Sequence, residues 1–367
     1  MKLGRPVDVA LAILFVGLLA GAWIVHDFAR KQIETNAQAH LQTMLMLRNS
    51  ALKSYLESLR SEVILWSDRG TIKELIKFFQ SEANTDGEGS LRQQSRVDVD
   101  TILPEGSRND GFGNESVDQR ARRFVEHHGY YNILLINPEG DVLYTAAKEA
   151  DFGTNLLNGP YSQTGISRVF RAALSARADD AVVFEDFSLY PPSNNQPAAF
   201  IASRVYDEGK LLGVYAVQIS GASIDEIMQF SAGMGESGET YLVGADGLMR
   251  SSSRFLSTPS VLKTRVESPS VAKAFGGQSG IGVVDDYRGI PVFSAYMRFD
   301  FEGMTWVALA EQDVAEVHEP LDELRNLLIG GLVIVIVVVV LLRFMLLKFV
   351  VPSSLAAFFG LTMLYET

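Results

Sequence analysis

Three polar side chains occupy alternate positions of the apolar run VVFEDFSLY, residues 182–190: Asp186, Ser188 and Tyr190. Because successive side chains of a β-strand point to opposite faces, residues spaced by two share one face. A carboxylate, a hydroxyl and a phenol on one face of a sheet suit a polar ligand, with the acid holding an ammonium group. The alternative is that the tyrosine packs in the core and the charges face solvent. The spacing therefore predicts a ligand-binding face.

Patterns that would indicate catalysis, metal binding or nucleotide binding are missing or misplaced in this sequence. The five His residues show no metal-ligand spacing, adjacent Asp285 and Asp286 would point to opposite faces of a strand, and no Ser, His and Asp set is recognisable. The motif GMGESG at residues 233–238 fits GxGxxG, but it follows a predicted helix and precedes a predicted strand, the reverse of a dinucleotide-binding turn. We predict no metal, no cofactor and no catalytic residue, and we interpret residues 233–238 as a connector.

The composition excludes further classes of function. The chain has 367 residues, enough for two folded units, and no Cys, which rules out disulfides, zinc–thiolate sites and iron–sulfur clusters. Its 32 basic and 44 acidic residues give a formal net charge of −12, so it lacks the basic surplus that nucleic acids attract. We therefore exclude DNA and RNA as partners.

Two apolar runs have the length and composition of membrane-spanning helices. Residues 9–25 read VALAILFVGLLAGAWIV, and residues 327–342 read LLIGGLVIVIVVVVLL. The small residues Ala20-Gly21-Ala22 leave a cleaved signal peptide as the alternative for the first run, but the apolar sequence continues beyond them, which favours an uncleaved anchor.

The charges that flank the two runs predict the topology of the chain. Basic residues lie on the outer side of the pair, namely Lys2, Arg5, Arg343 and Lys348. By the positive-inside rule, both termini are cytoplasmic and everything between the two runs lies on the far side of the bilayer.

The segment after the first run predicts a long amphipathic helix from Phe28 to about Trp66. Apolar residues recur there at steps of three, four or seven: Leu41, Leu45, Leu52, Leu56, Leu59, Val63 and Trp66. This narrow stripe suits either packing on the domain or pairing in a homodimer. A short second helix starts at Thr71, and residues 83–119, rich in Gly, Ser, Asn and Asp, read as a flexible insertion.

The remaining segments predict the same order of elements twice. A hairpin at residues 130–146, a helix at 162–174 and three strands within 182–220 are followed by a connecting helix, the hairpin ETYLVGADGLMRS and three strands within 280–311. Antiparallel strands with flanking helices are an α+β arrangement. We infer two tandem copies of one module.

Two stretches of this repeat resemble a known family, the double Cache domain of bacterial transmembrane sensors. They are GESGETYLVGADGLMRSSSRF at residues 235–255 and AFIASRVYDEGKLLGVYAVQIS at residues 199–220, and the resemblance covers about residues 28–311. It implies an α+β fold with two PAS-like modules and antiparallel sheets on a long N-terminal helix, flanked by two transmembrane helices. It also implies a small ligand in the membrane-distal module and a cytoplasmic output domain.

The resemblance and the apolar runs together give the expected domain boundaries. They are 1–8 cytoplasmic N-terminus, 9–27 first transmembrane helix, 28–82 long helix and short second helix, 83–119 insertion, 120–232 membrane-distal Cache module, 233–312 membrane-proximal module, 313–326 connecting helix, 327–347 second transmembrane helix and 348–367 cytoplasmic tail.

The resemblance also nominates residues for the ligand site, since ligand groups in the family come from the loop and helices over the sheet and from the inward face of its strands. They are Tyr144, Tyr161, Arg168, Asp186, Ser188, Tyr190 and Tyr206. The Arg-x-Trp-Tyr arrangement of the amino-acid-binding members is not found, so amino acids are not the assumed ligand.

The tail departs from the family pattern. KFVVPSSL at residues 348–355 resembles the entry to a HAMP linker, but the following AAFFGLTMLYET is too short and too apolar to complete one. The chain is therefore expected to be truncated, frameshifted, or a stand-alone sensor that signals to a separate cytoplasmic output protein.

Three hypotheses follow for the function. The first is a sensor in the bacterial inner membrane with a periplasmic ligand-binding domain, which is not itself an enzyme. The second is an extracytoplasmic docking module for a periplasmic or membrane protein, without its own small ligand. The third, an extracytoplasmic enzyme, has no residue constellation behind it.

Overall fold

The computed structural model describes residues 4–86, 117–177 and 181–345, which fall into two compact units. One unit contains the described residues up to Ala39 and helix α7 (Val314–Met345); the other is His40–Asp313. Most of the predicted insertion at 83–119 and all of the predicted tail at 348–367, including KFVVPSSL, lie outside the described residues.

The first unit is built from two apolar helices. Helix α1 (Gly4–Ser67) contributes its N-terminal part, and α7 continues through Pro320 without interruption. Both helices have the length and composition to cross a membrane, and their most apolar stretches are not buried against protein. Next to the apolar stretches, His318 Nε2 lies 2.9 Å from Glu34 Oε1, which joins α7 to α1. Two apolar helices therefore flank the second unit in the sequence.

The remainder of α1 belongs to the second unit, where its apolar stripe is buried. The buried members are Leu41, Leu45, Leu52, Leu56, Leu59 and Val63. Of the two interpretations of the stripe, packing on the domain is the one that the structure shows. Helices α2 (Gly70–Asp86) and α3 (Val117–His128) follow, and Phe79 of α2 stacks on Tyr144 at a ring-centroid distance of 5.4 Å.

Five antiparallel strands form the first sheet, in the order β2-β1-β5-β4-β3. Their bounds are β1 Asn132–Ile136, β2 Val142–Thr145, β3 Val182–Tyr190, β4 Gln196–Asp207 and β5 Lys210–Ile219. Helix α4 (Gly165–Ser175) covers one face, and Ile166, Val169 and Phe170 of this helix are fully buried against the strands. We call this sheet with α4 the first module.

Four antiparallel strands form the second sheet, in the order β6-β9-β8-β7. Their bounds are β6 Glu239–Gly244, β7 Gly280–Asp285, β8 Pro291–Phe301 and β9 Met304–Asp313, with helices α5 (Gly221–Gln229) before the sheet and α6 (Pro269–Phe275) on it. We call this the second module. The predicted α+β class with two antiparallel sheets is confirmed, and residues 233–238 connect α5 to β6 as predicted.

The predicted second hairpin is wrong in its second half. Leu248 and Met249 form only isolated bridges, because the Ser251 side chain takes the N–H of Leu242, which a continuing strand would use. The side chain of Arg250, which precedes Ser251, packs on Gly244, where the absence of a Cβ leaves room for the guanidinium. Local sequence cannot show this, since one partner of that guanidinium, Asp186, lies in the other module.

Gly213 of β5 offers a test of how closely β5 and β1 pack. A Cβ at this position would overlap the carbonyl oxygen of Ile136, so Gly213→Ala is expected to lower the free energy of unfolding by about 1–3 kcal/mol. Gly282→Ala in β7 is the matched control, because its Cβ would meet open space and the change should stay within about 0.5 kcal/mol. Chemical denaturation of the full chain in detergent measures both; equal effects would contradict the packing described here.

Candidate ligand-binding site

A group of buried polar side chains interrupts the apolar face of the first module that α4 covers. We call it the polar cluster; its members are Asn132, Thr145, Asp151, Tyr190, Ser193 and Gln218. Asn132 of β1 is directly opposite Gln218 of β5, which is opposite Phe200 of β4, so these side chains share a face. Buried polar groups are costly unless they are paired, so the cluster calls for a functional explanation.

The centre of the cluster is Asp151, in the segment between β2 and α4. Its side chain is 0% exposed, and the Tyr190 hydroxyl, at the end of β3, donates to its Oδ2 at 2.5 Å. Within the described residues, its Oδ1 is buried without a hydrogen bond of ordinary geometry, and the carboxyl forms no ion pair, although the backbone N–H groups of Asp151 and Phe152 act on it and work to lower its pKa. Burial is the largest influence and raises the pKa of Asp151, although the hydrogen bond from Tyr190 works against it. Asp151 is thus a buried acceptor ready for a charged donor.

A second acid lies beside the first. Glu149 accepts hydrogen bonds from the Tyr131 hydroxyl at 2.8 Å and from Ser193 Oγ at 2.7 Å. Ser193 in turn accepts one from Gln218 Nε2 at 3.2 Å, while Gln218 Oε1 is buried without a partner in the described part of the chain. Two unsatisfied acceptors and two acids make this region suited to a ligand that donates hydrogen bonds and carries positive charge.

The turn between β3 and β4 places Tyr190 and Ser193. A short 3₁₀ turn, Pro191–Ser193, follows Tyr190, and Asn194 and Asn195 have positive φ values of 54° and 56°. Asn tolerates this left-handed conformation better than most residues, so the sequence can turn back sharply into β4.

The structure brings four of the seven predicted ligand residues to this side of the sheet. Tyr190 belongs to the polar cluster, and Tyr161 packs half-buried on the same core. At the adjoining edge, Arg168 donates to Ser188 Oγ at 3.1 Å and to Glu185 Oε1 at 2.5 Å.

The other three predicted residues lie elsewhere. Tyr144 stacks on Phe79 of α2, and Tyr206 lies under Arg204 near the β4–β5 turn, at the opposite end of β4 from Tyr190. Asp186 contacts the second module: it accepts hydrogen bonds from Arg250 Nε at 3.0 and 3.1 Å and from Trp306 Nε1 at 2.9 Å.

The prediction that Asp186 shares a face with Ser188 and Tyr190 is therefore wrong. The register of β3 against β4 shifts between Glu185 and Ser188, and this bulge turns Asp186 to the other side. The predicted alternation assumes a regular strand, and one extra residue inverts it.

Sequence reasoning missed Asp151, Glu149, Ser193, Asn132 and Gln218. Two of them carried a signal: Asn132 interrupts the apolar run YYNILLI, and Gln218 interrupts VYAVQIS. A polar residue at an inward position of a buried strand is uncommon enough to mark a site. Asp151 and Glu149 lie in a connecting segment and carry no such pattern.

Comparison with known sequences identifies the family. A sequence profile described as the Cache domain matches residues 29–321. The chain belongs to the double Cache family. Its two sheets with their helices are the two Cache modules expected of such a chain. No curated protein sequence matches the chain significantly.

Several solved structures similar to the chain are ligand-binding domains of bacterial chemoreceptors. That of Campylobacter jejuni Tlp3, in complex with 4-methylisoleucine, is 12% identical, with a TM-score of 0.48, 80% of this chain covered and 97% of that chain. That of Pseudomonas aeruginosa PctC, in complex with GABA, is 17% identical, with a TM-score of 0.41 and coverage of 73% and 96%. That of Pseudomonas fluorescens CtaA, in complex with L-isoleucine, is 12% identical, with a TM-score of 0.44 and coverage of 79% and 97%.

Proposed function

We propose that this double Cache chain is a sensor of the bacterial inner membrane whose first module binds a small polar ligand carrying a protonated amine. The observation that carries the proposal is Asp151, a fully buried carboxyl whose only described hydrogen-bond partner of ordinary geometry is the neutral phenol of Tyr190. An ammonium group supplies the positive charge that this carboxyl lacks and a donor for its Oδ1. Tyr161, Ser188 and Arg168 then form the rest of the site, and a ligand carboxylate would compete with Glu185 for the Arg168 guanidinium. The chain itself is assigned no catalysis.

The membrane placement follows from the two apolar helices and their flanking charges. Lys2, Arg5, Arg343 and Lys348 favour cytoplasmic termini, which supports our proposal that the Cache unit is periplasmic. A periplasmic binding unit between two membrane helices is the arrangement that a transmembrane sensor needs.

Strand β3 offers a route from the ligand to the second module. It carries Tyr190, which contacts Asp151, and Asp186, which binds Arg250 and Trp306. A ligand that shifts Tyr190 thereby shifts the contact between the modules. Such a ligand signals only if it favours one of two arrangements, and the differential affinity for allosteric coupling is typically about 1–3 kcal/mol.

The test is a thermal-shift screen of the full chain in lipid nanodiscs at one pH. The panel contains alkylamines, amino acids, carboxylates without an amine, and neutral sugars, each well above its expected Kd. We expect amine-bearing compounds to raise the Tm and the other two classes to leave it unchanged. If only carboxylates without an amine raised the Tm, the proposed ligand class would be wrong. If no compound changed the Tm and a periplasmic protein co-purified with the chain, the docking hypothesis would be favoured.

A further inference from the structure

The second module contains a row of polar side chains that the proposed ligand site does not use. Glu239 of β6 is directly opposite Glu311 of β9, which is directly opposite Ser294 of β8. Residues directly opposite one another in an antiparallel sheet point to the same face, so two carboxyl groups stand side by side. Both are buried, with Glu311 at 1% exposure. Like charges at opposed positions are destabilising, and burial in a low dielectric aggravates this.

The side-chain partners of these two acids are neutral hydroxyl groups, and the backbone N–H of Arg254 also acts on Glu239. Glu239 accepts hydrogen bonds from the Tyr287 hydroxyl at 2.6 Å and from Ser253 Oγ at 2.9 Å. Glu311 Oε2 accepts one from the Tyr241 hydroxyl at 2.8 Å. Its other oxygen, Oε1, is buried beside Ser294 and has no hydrogen bond of ordinary geometry within the described residues. A proton on Oε1 turns it into a donor for the Ser294 hydroxyl oxygen, which is also buried without a hydrogen bond of ordinary geometry.

The cations around the row offset only part of its negative charge: Arg288 works to lower the pKa of Glu239, but burial outweighs it. Arg288, on the segment after β7, is held by Asp286 at 2.5 Å and by Asp313 at 2.7 Å. Arg254, on the segment after β6, donates to the carbonyl oxygens of Gly238 and Glu236. The negative charge of Asp286 adds to the rise in the pKa of Glu311.

The surroundings favour the protonated form of both acids. Burial, above all, raises the pKa of Glu311 to about 7, with Asp286 and Glu239 adding to the effect and the hydrogen bonds from Ser294 and Tyr241 opposing it. Burial raises the pKa of Glu239 as well.

We propose that this row is a proton-binding site, in which Glu239 and Glu311 hold a proton while their compartment is mildly acidic and release it to water when the pH rises. Release leaves two adjacent buried negative charges, which the sheet relieves by separating β6 from β9 or by admitting water. Glu311 lies close to the end of β9, and the next element in the chain is α7. The second module is thus a second input, for pH, that does not depend on the ligand proposed for the first module.

Infrared difference spectroscopy of the full chain in nanodiscs tests the proposal, because a protonated buried carboxyl has its own C=O band. We expect this band to disappear with a midpoint near pH 7 in the wild type and to be missing in Glu311→Gln. Glu239→Gln should move the midpoint to lower pH, since the facing charge is gone, and this variant serves if Glu311→Gln does not fold. Glu267→Gln, at an exposed position of the same module, is the control and should leave the midpoint unchanged.

Thermal unfolding supplies an independent measurement. The folded pKa of Glu311 lies above its ordinary value of 4.5, so the native chain binds more protons than the unfolded chain between 4.5 and about 7 and loses stability as pH rises through that window. The Tm of the wild type should fall relative to that of Glu311→Gln over this range.

Three results would overturn the proposal. They are the absence of any carboxyl that titrates between about pH 6 and pH 8, the persistence of that titration in Glu311→Gln, and stabilisation of the wild type but not of Glu311→Gln by Ca²⁺ or an alkylammonium ion at fixed pH. The last result would make the row a cation site instead.

Discussion

Replacing Asp186 with asparagine is expected to lower the free energy of unfolding of the chain by about 2–3 kcal/mol. The substitution removes the negative charge that faces the guanidinium of Arg250, whose side chain is only 5% exposed. Breaking a fully buried pair usually costs more, but the Asp186 side chain is 30% exposed and Asp246 remains as a partner of Arg250. Chemical denaturation followed by tryptophan fluorescence gives the value for the full chain in detergent.

Asp246→Asn is the matched control for this prediction, because it removes the other negative charge beside the same guanidinium. The Asp246 side chain is 47% exposed, so water replaces it readily and the expected loss is about 1 kcal/mol or less. If the two variants lost similar amounts of unfolding free energy, water would replace Asp186 beside Arg250 as readily as it replaces Asp246. Asp186 would then not hold the two modules together.

The second large effect is expected in ligand affinity. Asp151→Asn should weaken the binding of an amine ligand by at least about 30-fold, since losing a buried charged hydrogen-bond partner costs roughly 2–5 kcal/mol. Asparagine keeps the size of the side chain and an acceptor for the Tyr190 hydroxyl, so the fold should persist. Because burial raises the pKa of Asp151, the charged form is disfavoured in the empty site, and the ligand-free Tm of the variant should equal or exceed that of the wild type.

Isothermal titration calorimetry of the nanodisc-embedded chain measures this loss, with the amine that stabilises the wild type most. Tyr190→Phe is the companion variant: it removes the hydrogen bond to Oδ2 but keeps the carboxylate, so the affinity should fall by only about tenfold. Unchanged affinity in Asp151→Asn would place the ligand away from Asp151 and would remove the main support for the proposed function.

Asp151→Asn and Asp186→Asn should also affect different steps: the first should weaken ligand binding, and the second should interrupt the signal between the modules. Asp151 lies among the ligand-binding candidates of the first module, while Asp186 joins β3 to Arg250 and Trp306 of the second. If β3 transmits the signal, Asp186→Asn should bind the ligand with normal affinity. Hydrogen exchange at β9 should then show no ligand-dependent change in the second module of this variant.

Periodicity and turn residues were enough to predict most elements of the fold. The stripe from Leu41 to Val63 predicted a helix with one buried face, and the strands of both sheets were predicted within a few residues of their observed ends. These features depend on local properties, namely the 3.6-residue repeat of a helix, the two-residue repeat of a strand, and Gly, Pro, Asn or Asp at turns. The family resemblance depended on the same local stretches.

The ligand site and the contact between modules were decided by tertiary structure. A bulge in β3 turned Asp186 away from Ser188 and Tyr190, and its partner Arg250 is 64 residues further along the chain. The hydrogen-bond partner of the buried Asp151 is the Tyr190 hydroxyl, 39 residues further along the chain. Glu311 lies opposite Glu239 because of the register between β6 and β9. A bulge, a register and the burial of a charge are properties of contacts between distant segments, and the order of residues along one segment does not contain them.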